Sequence, residues 1–242
     1  MPIFQLTEEI QFPPVEMATP EGILAIGGDL SPERLITAYS SGIFPWYTEE
    51  SPILWWSPNP RFVLFLNELK LSKSTRKVIK KNPFSFTFDK CFEEVIKSCS
   101  LPRKSEFGTW IVKDMIEAYI RLHNMGYAHS VEAWQDGKLA GGLYGVSLGR
   151  CFFGESMFTK VSNASKLSLV FLVNTLRKLE FHFIDSQVYT PHLARMGARE
   201  IPRSEYIKLL KGALKFDTLK GNWGTILNED LLKKSLEESF SI

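Results

Sequence analysis

Hydrophobic and polar positions follow two different patterns along this chain. The first sixty residues carry short apolar runs broken by Pro, Gly and Trp, which is typical of turns and short strands. After them, apolar residues recur every three to four positions or in runs of strand length, so longer helices and strands are expected. The pattern therefore predicts a small N-terminal domain, residues 1–62, and a larger domain, residues 63–242.

Several segments carry helix signals. Ser31-Pro32-Glu33 supplies an N-cap, a first-turn proline and a first-turn acid for a helix that stops at Gly42. Residues 70–81 place basic side chains at helical spacing, with apolar residues on the opposite side. The other predicted helices run from Trp110 to Met125, from Asn163 as the cap through Leu176, from His192 to Met196, and from Ser204 to Leu214.

Strands are predicted between these helices. Residues 127–134, 138–149 and 151–158 form an antiparallel meander, with Asp136-Gly137 as the first hairpin turn. Residues 181–189 form one more strand after the long apolar helix. The order of helix, antiparallel strands, helix, strand and helix predicts an α+β fold.

Composition excludes several classes of protein. The chain has 242 residues, 44% of them hydrophobic and 23% charged, as in ordinary soluble globular proteins. Its first residues lack the apolar stretch of a secretory signal, and no run approaches the length of a membrane span. Its three cysteines are odd in number and show no metal-ligand spacing. We expect a cytoplasmic protein with reduced thiols and no metal.

Charge is concentrated in one segment. The net charge is only +2, yet six cations fall within twelve residues that contain no acid. Such a helix face is either simply solvated or binds the phosphates of a nucleic acid. The predicted face consists of Lys73, Arg76, Lys77 and Lys80.

Two carboxylates lie in apolar, strand-like runs. Glu155 and Asp185 each carry a charge where burial is costly unless the group is held specifically. Asp185 and Gln187 have period-two spacing, so on a strand both side chains would leave the same face. A carboxylate beside an amide can orient an amine or hydroxyl, which suggests acyl transfer without a covalent nucleophile. A structural role for Asp185 is the alternative.

The chain resembles a known family over nearly its whole length. In the blocks below it is similar to bacterial leucyl/phenylalanyl-tRNA–protein transferases, and eight blocks in the family's order make coincidence improbable. The blocks are Gly22–Ser31, Gly42–Trp46, Leu54–Pro58, Gly108–Ile111, Ala128–Glu132, Gly154–Phe158, Asn163–Lys166 and Ile184–Gln187.

The resemblance implies a C-terminal acetyltransferase-like (GNAT-like) domain with a mostly antiparallel sheet flanked by helices. It also implies an activity: transfer of Leu or Phe, and less readily Met, from an aminoacyl-tRNA to the N-terminal Arg or Lys of an acceptor protein. The product would carry an N-terminal degradation signal. No cofactor is expected, because an aminoacyl ester is already activated.

The same resemblance assigns roles to residues. Asp185 and Gln187 match the pair assigned to the chemistry, and Glu155 matches an acidic site residue. Trp46 and Trp110 match aromatic positions around the tRNA's terminal adenosine, although tryptophans are more often core residues. The aminoacyl pocket is expected to be lined by Leu143, Met157, Leu169, Leu172 and Leu176.

Several alternatives stay open at this point. The proton route could use Asp185 polarising Gln187, Asp185 as a general base, or a ribose hydroxyl of the tRNA. A coenzyme A-dependent N-acyltransferase on the same fold is the main rival, although the sequence shows no glycine-spaced pyrophosphate loop after a strand. A non-catalytic RNA-binding protein would explain the basic helix but not the buried carboxylates.

Overall fold

The structure, a computed structural model, describes residues 3–81, 83–101 and 111–240, with only the backbone for the last three. Its described part is a mixed α+β fold: a small sheet near the N-terminus and a larger sheet flanked by helices, as predicted. Within these residues, no helix has both the length and the apolar character needed to cross a membrane.

The first sheet is small and contains the strands that precede residue 60. Its four strands, in the described residues, lie in the order β1-β2-β4-β3, with β1 and β2 parallel and the other pairs antiparallel. The helix α1 joins β2 to β3. The elements are β1 (Phe4–Leu6), β2 (Ile23–Gly27), α1 (Pro32–Ser40), β3 (Phe44–Pro45) and β4 (Leu54–Trp56).

The second sheet is larger and mostly antiparallel. Seven strands of the described chain follow the order β11-β5-β10-β9-β8-β7-β6, and only β9 and β10 are parallel neighbours. The strands are β5 (Arg61–Phe65), β6 (Ser85–Phe88), β7 (Ala128–Gln135), β8 (Lys138–Leu148), β9 (Cys151–Thr159), β10 (Phe183–Asp185) and β11 (Arg199–Ile201). The predicted domain boundary after residue 62 falls inside β5.

Helices cover both faces of this sheet. Those on one face are α1, α3 (Phe92–Ser100), α4 (Lys113–Asn124) and α7 (Arg203–Ala213), and their core also includes side chains of the first sheet. Those on the other face are α2 (Lys73–Lys81), α5 (Ala164–Lys178), α8 (Trp223–Ile226) and α9 (Glu229–Phe240). The short helix α6 (Pro191–Arg195) follows β10.

Strand β8 shows how alternation builds these two cores. Tyr144 and Val146 enter the core shared with the first sheet, whereas Leu143 enters the core beneath α5. Successive side chains of a strand leave opposite faces, so one strand supplies both cores. The predicted meander of β7, β8 and β9 is confirmed, with residues 136 and 137 at positive φ in the first turn.

Capping signals located the starts of two helices, α1 and α5. The Ser31 hydroxyl accepts a hydrogen bond from the backbone N–H of Arg34, as expected of an N-cap. Asn163 occupies the N-cap position of α5, as predicted, but its side chain makes no capping hydrogen bond. Its backbone is left-handed, with φ 71°, whereas a capping residue is normally extended. Its side-chain oxygen instead accepts a hydrogen bond from Lys166.

Candidate functional site

A cavity of about 800 Å³ opens where the first sheet meets β9, β10 and α5. Its exposed wall is mostly apolar, which suits an apolar ligand group. The residue following β3, Trp46, stands on one side, and Leu169 and Leu172 of α5 stand on another. Further lining residues include Phe44, Leu143, Phe152, Glu155, Met157, Ile184, Gln187 and His192.

Most residues predicted for the site meet at this cavity. The lining includes Glu155, Gln187, Trp46 and four of the five predicted pocket residues, Leu143, Met157, Leu169 and Leu172. Two predicted residues, Asp185 and Leu176, are fully buried and absent from the lining formed by the described residues. Trp110 lies outside the described residues, so its position relative to the cavity is a prediction only.

The turn after β10 corrects one expectation. The strand ends at Asp185, so Asp185 and Gln187 do not share one face of a strand. Gln187 has φ 62°, a left-handed conformation that non-glycine residues seldom adopt. Asp185 Oδ1 accepts a hydrogen bond from the Gln187 backbone N–H at 2.9 Å, as in an Asx turn. This turn, rather than strand alternation, directs the Gln187 side chain into the cavity.

Asp185 is held by a buried arginine that sequence reasoning missed. Arg61 Nε donates to Asp185 Oδ1 at 2.9 Å, and Arg61 Nη2 donates to Oδ2 at 2.7 Å. The Tyr206 hydroxyl also donates to Oδ2, at 2.7 Å. Both members of the ion pair are fully buried. Both oxygens of Asp185 are thus occupied by buried donors, and its bond to the Gln187 backbone N–H connects it to the cavity wall.

The same arginine connects the two sheets. Arg61 Nη1 donates to the backbone oxygen of Gly42 at 3.1 Å, just before β3. Its guanidinium lies 4.8 Å from the ring centroid of Phe44 and 4.5 Å from that of Tyr206. These contacts fix the start of β3, and so the position of Trp46, relative to Asp185. No local signal in the sequence around Arg61 indicates this partner.

Glu155 is the carboxyl group that reaches the cavity. It accepts hydrogen bonds at Oε1 from the Gln187 side-chain nitrogen and the Tyr39 hydroxyl, both at 2.7 Å. Its Oε2 accepts one from the Tyr119 hydroxyl at 3.0 Å. Burial raises the pKa of Glu155 to about 7, although these three hydrogen bonds act to lower it. A carboxyl group with this pKa can exchange a proton at neutral pH.

Sequence analysis assigned no role to the two tyrosines that contact Glu155. Tyr39 of α1 and Tyr119 of α4 are fully buried, and their hydroxyls contact each other as well as Glu155. A buried hydroxyl needs a hydrogen-bond partner. That requirement is the signal that could have linked these residues to a polar group in the core.

Trp46 stands at the cavity with 37% of its surface exposed. Its ring centroid lies 5.3 Å from that of Trp56, and Trp56 Nε1 donates to the Trp46 backbone oxygen at 2.7 Å. Trp55, in contrast, is fully buried, with Nε1 donating to Gly27. Trp46 therefore offers a supported aromatic surface beside the apolar cavity.

The predicted basic face lies on the exposed side of α2. Its four cations are all exposed, and they are called the basic face below: Lys73, Arg76, Lys77 and Lys80. Thr75 and Ile79 on the opposite side are buried, as the helical spacing predicted. None of the four cations belongs to the cavity wall formed by the described residues. Any contact they make with a ligand is therefore separate from the apolar pocket.

An apolar cavity bordered by a carboxyl group of raised pKa and a fixed carboxamide fits an enzyme that transfers apolar acyl groups. Comparison with known proteins specifies the family. The family model "Leucyl/phenylalanyl-tRNA protein transferase" matches residues 63–211, and the model of that family's N-terminal domain matches residues 28–59. The chain belongs to the leucyl/phenylalanyl-tRNA–protein transferase family, and it is an aminoacyltransferase.

Individual relatives agree with this assignment. A leucyl/phenylalanyl-tRNA–protein transferase of Syntrophus aciditrophicus is 56% identical over 226 residues, which cover 93% of this chain and 95% of the relative. One of Syntrophobacter fumaroxidans is 59% identical over 211 residues, covering 87% and 90%. These matches confirm the resemblance seen in the sequence blocks.

A solved structure shows a looser likeness. The structure of L-PGS from Bacillus licheniformis aligns with this chain at a TM-score of 0.36 and 12% sequence identity. The alignment covers 88% of this chain and 71% of the L-PGS chain. A likeness at this level says nothing about the activity of the chain.

Proposed function

We propose that the protein transfers Leu or Phe, and less readily Met, from aminoacyl-tRNA to the N-terminal Arg or Lys of acceptor proteins. The observation that carries this proposal is the cavity of about 800 Å³, whose apolar wall meets Glu155 and Gln187. Family membership supplies the aminoacyl-tRNA donor and the protein acceptor. The new N-terminal residue would mark the acceptor for degradation, and the use of aminoacyl-tRNA favours a cytoplasmic location.

The donor side chain occupies the apolar part of the cavity. The wall of this part consists of flexible hydrocarbon side chains, among them Leu143, Met157, Leu169 and Leu172. Burying a Leu-sized group is worth roughly 1.5–3 kcal/mol, enough to prefer it over Ala. Leu176, fully buried in the same helix but away from the cavity wall, supports the pocket from behind rather than touching the donor.

The chemistry joins an amine to an activated ester. The acceptor nitrogen attacks the ester carbonyl carbon, a C–N bond forms, the C–O bond to the ribose breaks, and the ribose oxygen gains a proton. Glu155 holds the nitrogen end of the Gln187 carboxamide at 2.7 Å, so the carboxamide oxygen is available to accept a hydrogen bond from the amine. Gln187 thereby orients the nucleophile, and Asp185 orients Gln187.

Glu155 also serves acceptor selection. An N-terminal Arg or Lys brings two cationic groups, and a carboxylate at the cavity wall attracts them. The amine itself has an ordinary pKa near 8, so little help is needed to present it unprotonated.

The tRNA is held at two places. Trp46 stacks the terminal adenine, as proteins commonly bind single-stranded RNA ends, and Trp110 is proposed as the second aromatic contact. The basic face of α2 contacts phosphates, each of which adds affinity without reading sequence. The division into an N-terminal domain, residues 1–62, and a catalytic domain, residues 63–242, is part of the same proposal.

One assay tests the proposal directly. tRNA charged with labelled Phe is mixed with the protein and an acceptor that begins with Arg, and label should move to the acceptor. The matched control is the same acceptor beginning with Ala, which should remain unlabelled. Absence of transfer, together with acylation of the acceptor from acetyl-coenzyme A, would replace this proposal with the coenzyme A-dependent alternative.

A further inference from the structure

Three oxygen-bearing side chains form a closed ring behind the cavity wall. The Tyr39 hydroxyl contacts Glu155 Oε1, the Tyr119 hydroxyl contacts Glu155 Oε2, and the two hydroxyls contact each other. Each of the three contacts is at hydrogen-bonding distance. The residues come from α1, α4 and β9, so tertiary packing alone brings them together.

Counting hydrogens shows which state of Glu155 fits this ring. When Glu155 is ionised, the ring has three oxygen–oxygen contacts but only the two hydroxyl hydrogens of the tyrosines. One of the three contacts therefore has no hydrogen between its two oxygens, and their lone pairs repel each other. When Glu155 is protonated at Oε2, three hydrogens fill all three contacts: Oε2–H donates to Tyr119, Tyr119 to Tyr39, and Tyr39 to Oε1. In that state Oε1 still accepts the Gln187 amide hydrogen.

We propose that Tyr39 and Tyr119 are positioning residues that set the proton affinity of Glu155, and that Glu155 is the proton acceptor in aminoacyl transfer. This inference rests on the proposed function. As the C–N bond forms, the attacking amine loses one proton and Glu155 takes it. The protonated carboxyl group, stabilised by the ring, returns that proton to the ribose oxygen as the C–O bond breaks.

The surroundings of Glu155 leave few other groups to do this. Asp185, whose charge also acts on Glu155, is paired with Arg61. Burial raises the pKa of Tyr39 and of Tyr119 well above the ordinary value, so both hydroxyls keep their hydrogens at neutral pH. Within the described residues, the titratable groups around Glu155 and its cavity are Tyr39, Cys99, Tyr119, Tyr144, Lys160, His192 and the Asp185–Arg61 pair, beside the neutral Gln187 carboxamide.

The ring predicts a different change in the pKa of Glu155 from the one that its number of hydrogen-bond donors alone would suggest. Losing a donor to a carboxylate ordinarily raises its pKa. Although each tyrosine bond taken singly lowers the pKa of Glu155, removing one hydroxyl leaves one contact in place of three. The remaining hydroxyl hydrogen fills that contact when Glu155 is ionised, whereas one hydrogen lacks an acceptor in the ring when Glu155 is protonated, so the pKa of Glu155 should fall. Tyr144→Phe is the matched control, because Tyr144 packs against Tyr119 but its buried hydroxyl contacts no hydrogen-bonding partner among the described residues.

The first measurement follows the carboxyl group by infrared titration of the full chain without tRNA. A protonated-carboxyl band that vanishes in Glu155→Gln identifies the group. In Tyr39→Phe and Tyr119→Phe its midpoint should move to lower pH by about one unit, the scale of one hydrogen bond. In Tyr144→Phe it should stay at the wild-type pH. Tyr119→Phe removes the other hydroxyl of the ring, so it tests the same prediction if Tyr39→Phe does not fold.

The second measurement is the pH dependence of kcat/KM for transfer. Its acid limb should shift to lower pH in both ring variants, in step with the infrared midpoint. If the infrared midpoint of Glu155 stays unchanged or moves to higher pH in Tyr39→Phe and Tyr119→Phe, the two tyrosines do not set its proton affinity as proposed. A shifted midpoint beside an unshifted acid limb would overturn the role of Glu155 as proton acceptor. If neither the wild type nor any variant transfers Phe, the proposed function fails. The infrared titration still tests whether the tyrosines set the proton affinity of Glu155.

Discussion

Replacing Asp185 by Asn tests the view that this residue positions the site rather than reacting. Asn keeps the size of Asp and an oxygen for the Gln187 backbone N–H, but it removes the charge opposite Arg61. Both partners of the ion pair are fully buried. Breaking such a pair leaves an uncompensated buried charge and costs about 3–5 kcal/mol. Since whole domains are stable by only about 5–15 kcal/mol, the loss should be plain.

The consequence for transfer should depend on the turn rather than the charge. Asp185→Asn preserves the acceptor that holds Gln187 in its left-handed conformation, so the folded variant should retain much of its transfer rate. Asp185→Ala removes that acceptor as well, and should slow transfer at least tenfold while tRNA binding persists. The difference between the two variants isolates the positioning effect.

The assay combines urea unfolding with single-turnover transfer at urea-free conditions where every variant is folded. Replacing Arg61 by Met and Asp185 by Leu together should recover most of the lost stability, because no lone charge remains. Glu68→Gln is the control: its pair with Arg199 is about half exposed and should cost under about 1 kcal/mol. Asp185→Asn with wild-type stability but a thousandfold slower transfer would refute the reasoning and place the carboxylate in the reaction.

Three further predictions concern other parts of the site. Neutralising the four cations of the basic face should weaken tRNA binding and lower its dependence on log salt by about 0.7–0.9 per lost phosphate contact, whereas Lys233→Gln on α9 should not; an unchanged slope would contradict the proposed RNA contact. Leu169→Phe should reduce transfer of Phe more than of Leu by filling the cavity, unlike Leu176→Met on the same helix, and equal losses would argue against this pocket. Burial raises the pKa of Glu155 from 4.5 to about 7, so ionising it costs the fold about 3 kcal/mol. Relative to Glu155→Gln, the wild type should therefore be fully stable below about pH 4.5 and lose this amount as the pH rises through 7, and a constant difference in urea unfolding would refute the shift.

Local chemistry explains what the sequence could predict. The helix that follows Ser31 is specified by the cap, Pro32 and the apolar spacing after them, all within a few residues. The hairpin at Asp136 and Gly137 is likewise specified by the conformations that those two residues tolerate. The exposed and buried sides of α2 follow from helical periodicity alone. Each of these features depends on neighbours in the chain.

Partners distant in the chain explain what it could not predict. Arg61 and Asp185 are 124 positions apart, and Tyr39 and Glu155 are 116 apart. Nothing near Arg61 distinguishes it from a surface arginine. The turn at Gln187 also escaped, because period-two spacing favoured a longer strand than the three residues that pair with β9. Residue types therefore indicated the chemistry of the site, whereas the roles of its members depended on tertiary contacts.

The two buried carboxyl groups of the site, Asp185 and Glu155, differ because Asp185 is paired with a cation and Glu155 is held by neutral donors. Arg61 provides Asp185 with a full positive charge and two directed hydrogen bonds. Glu155 receives only neutral donors, two tyrosines and a carboxamide, which offset part of the cost of burying a charge but not all of it. We therefore expect proton exchange near neutral pH at Glu155, whereas we expect Asp185 to hold the turn that carries Gln187. Moving a cation next to Glu155 would remove this difference, because the cation would favour the ionised form of Glu155.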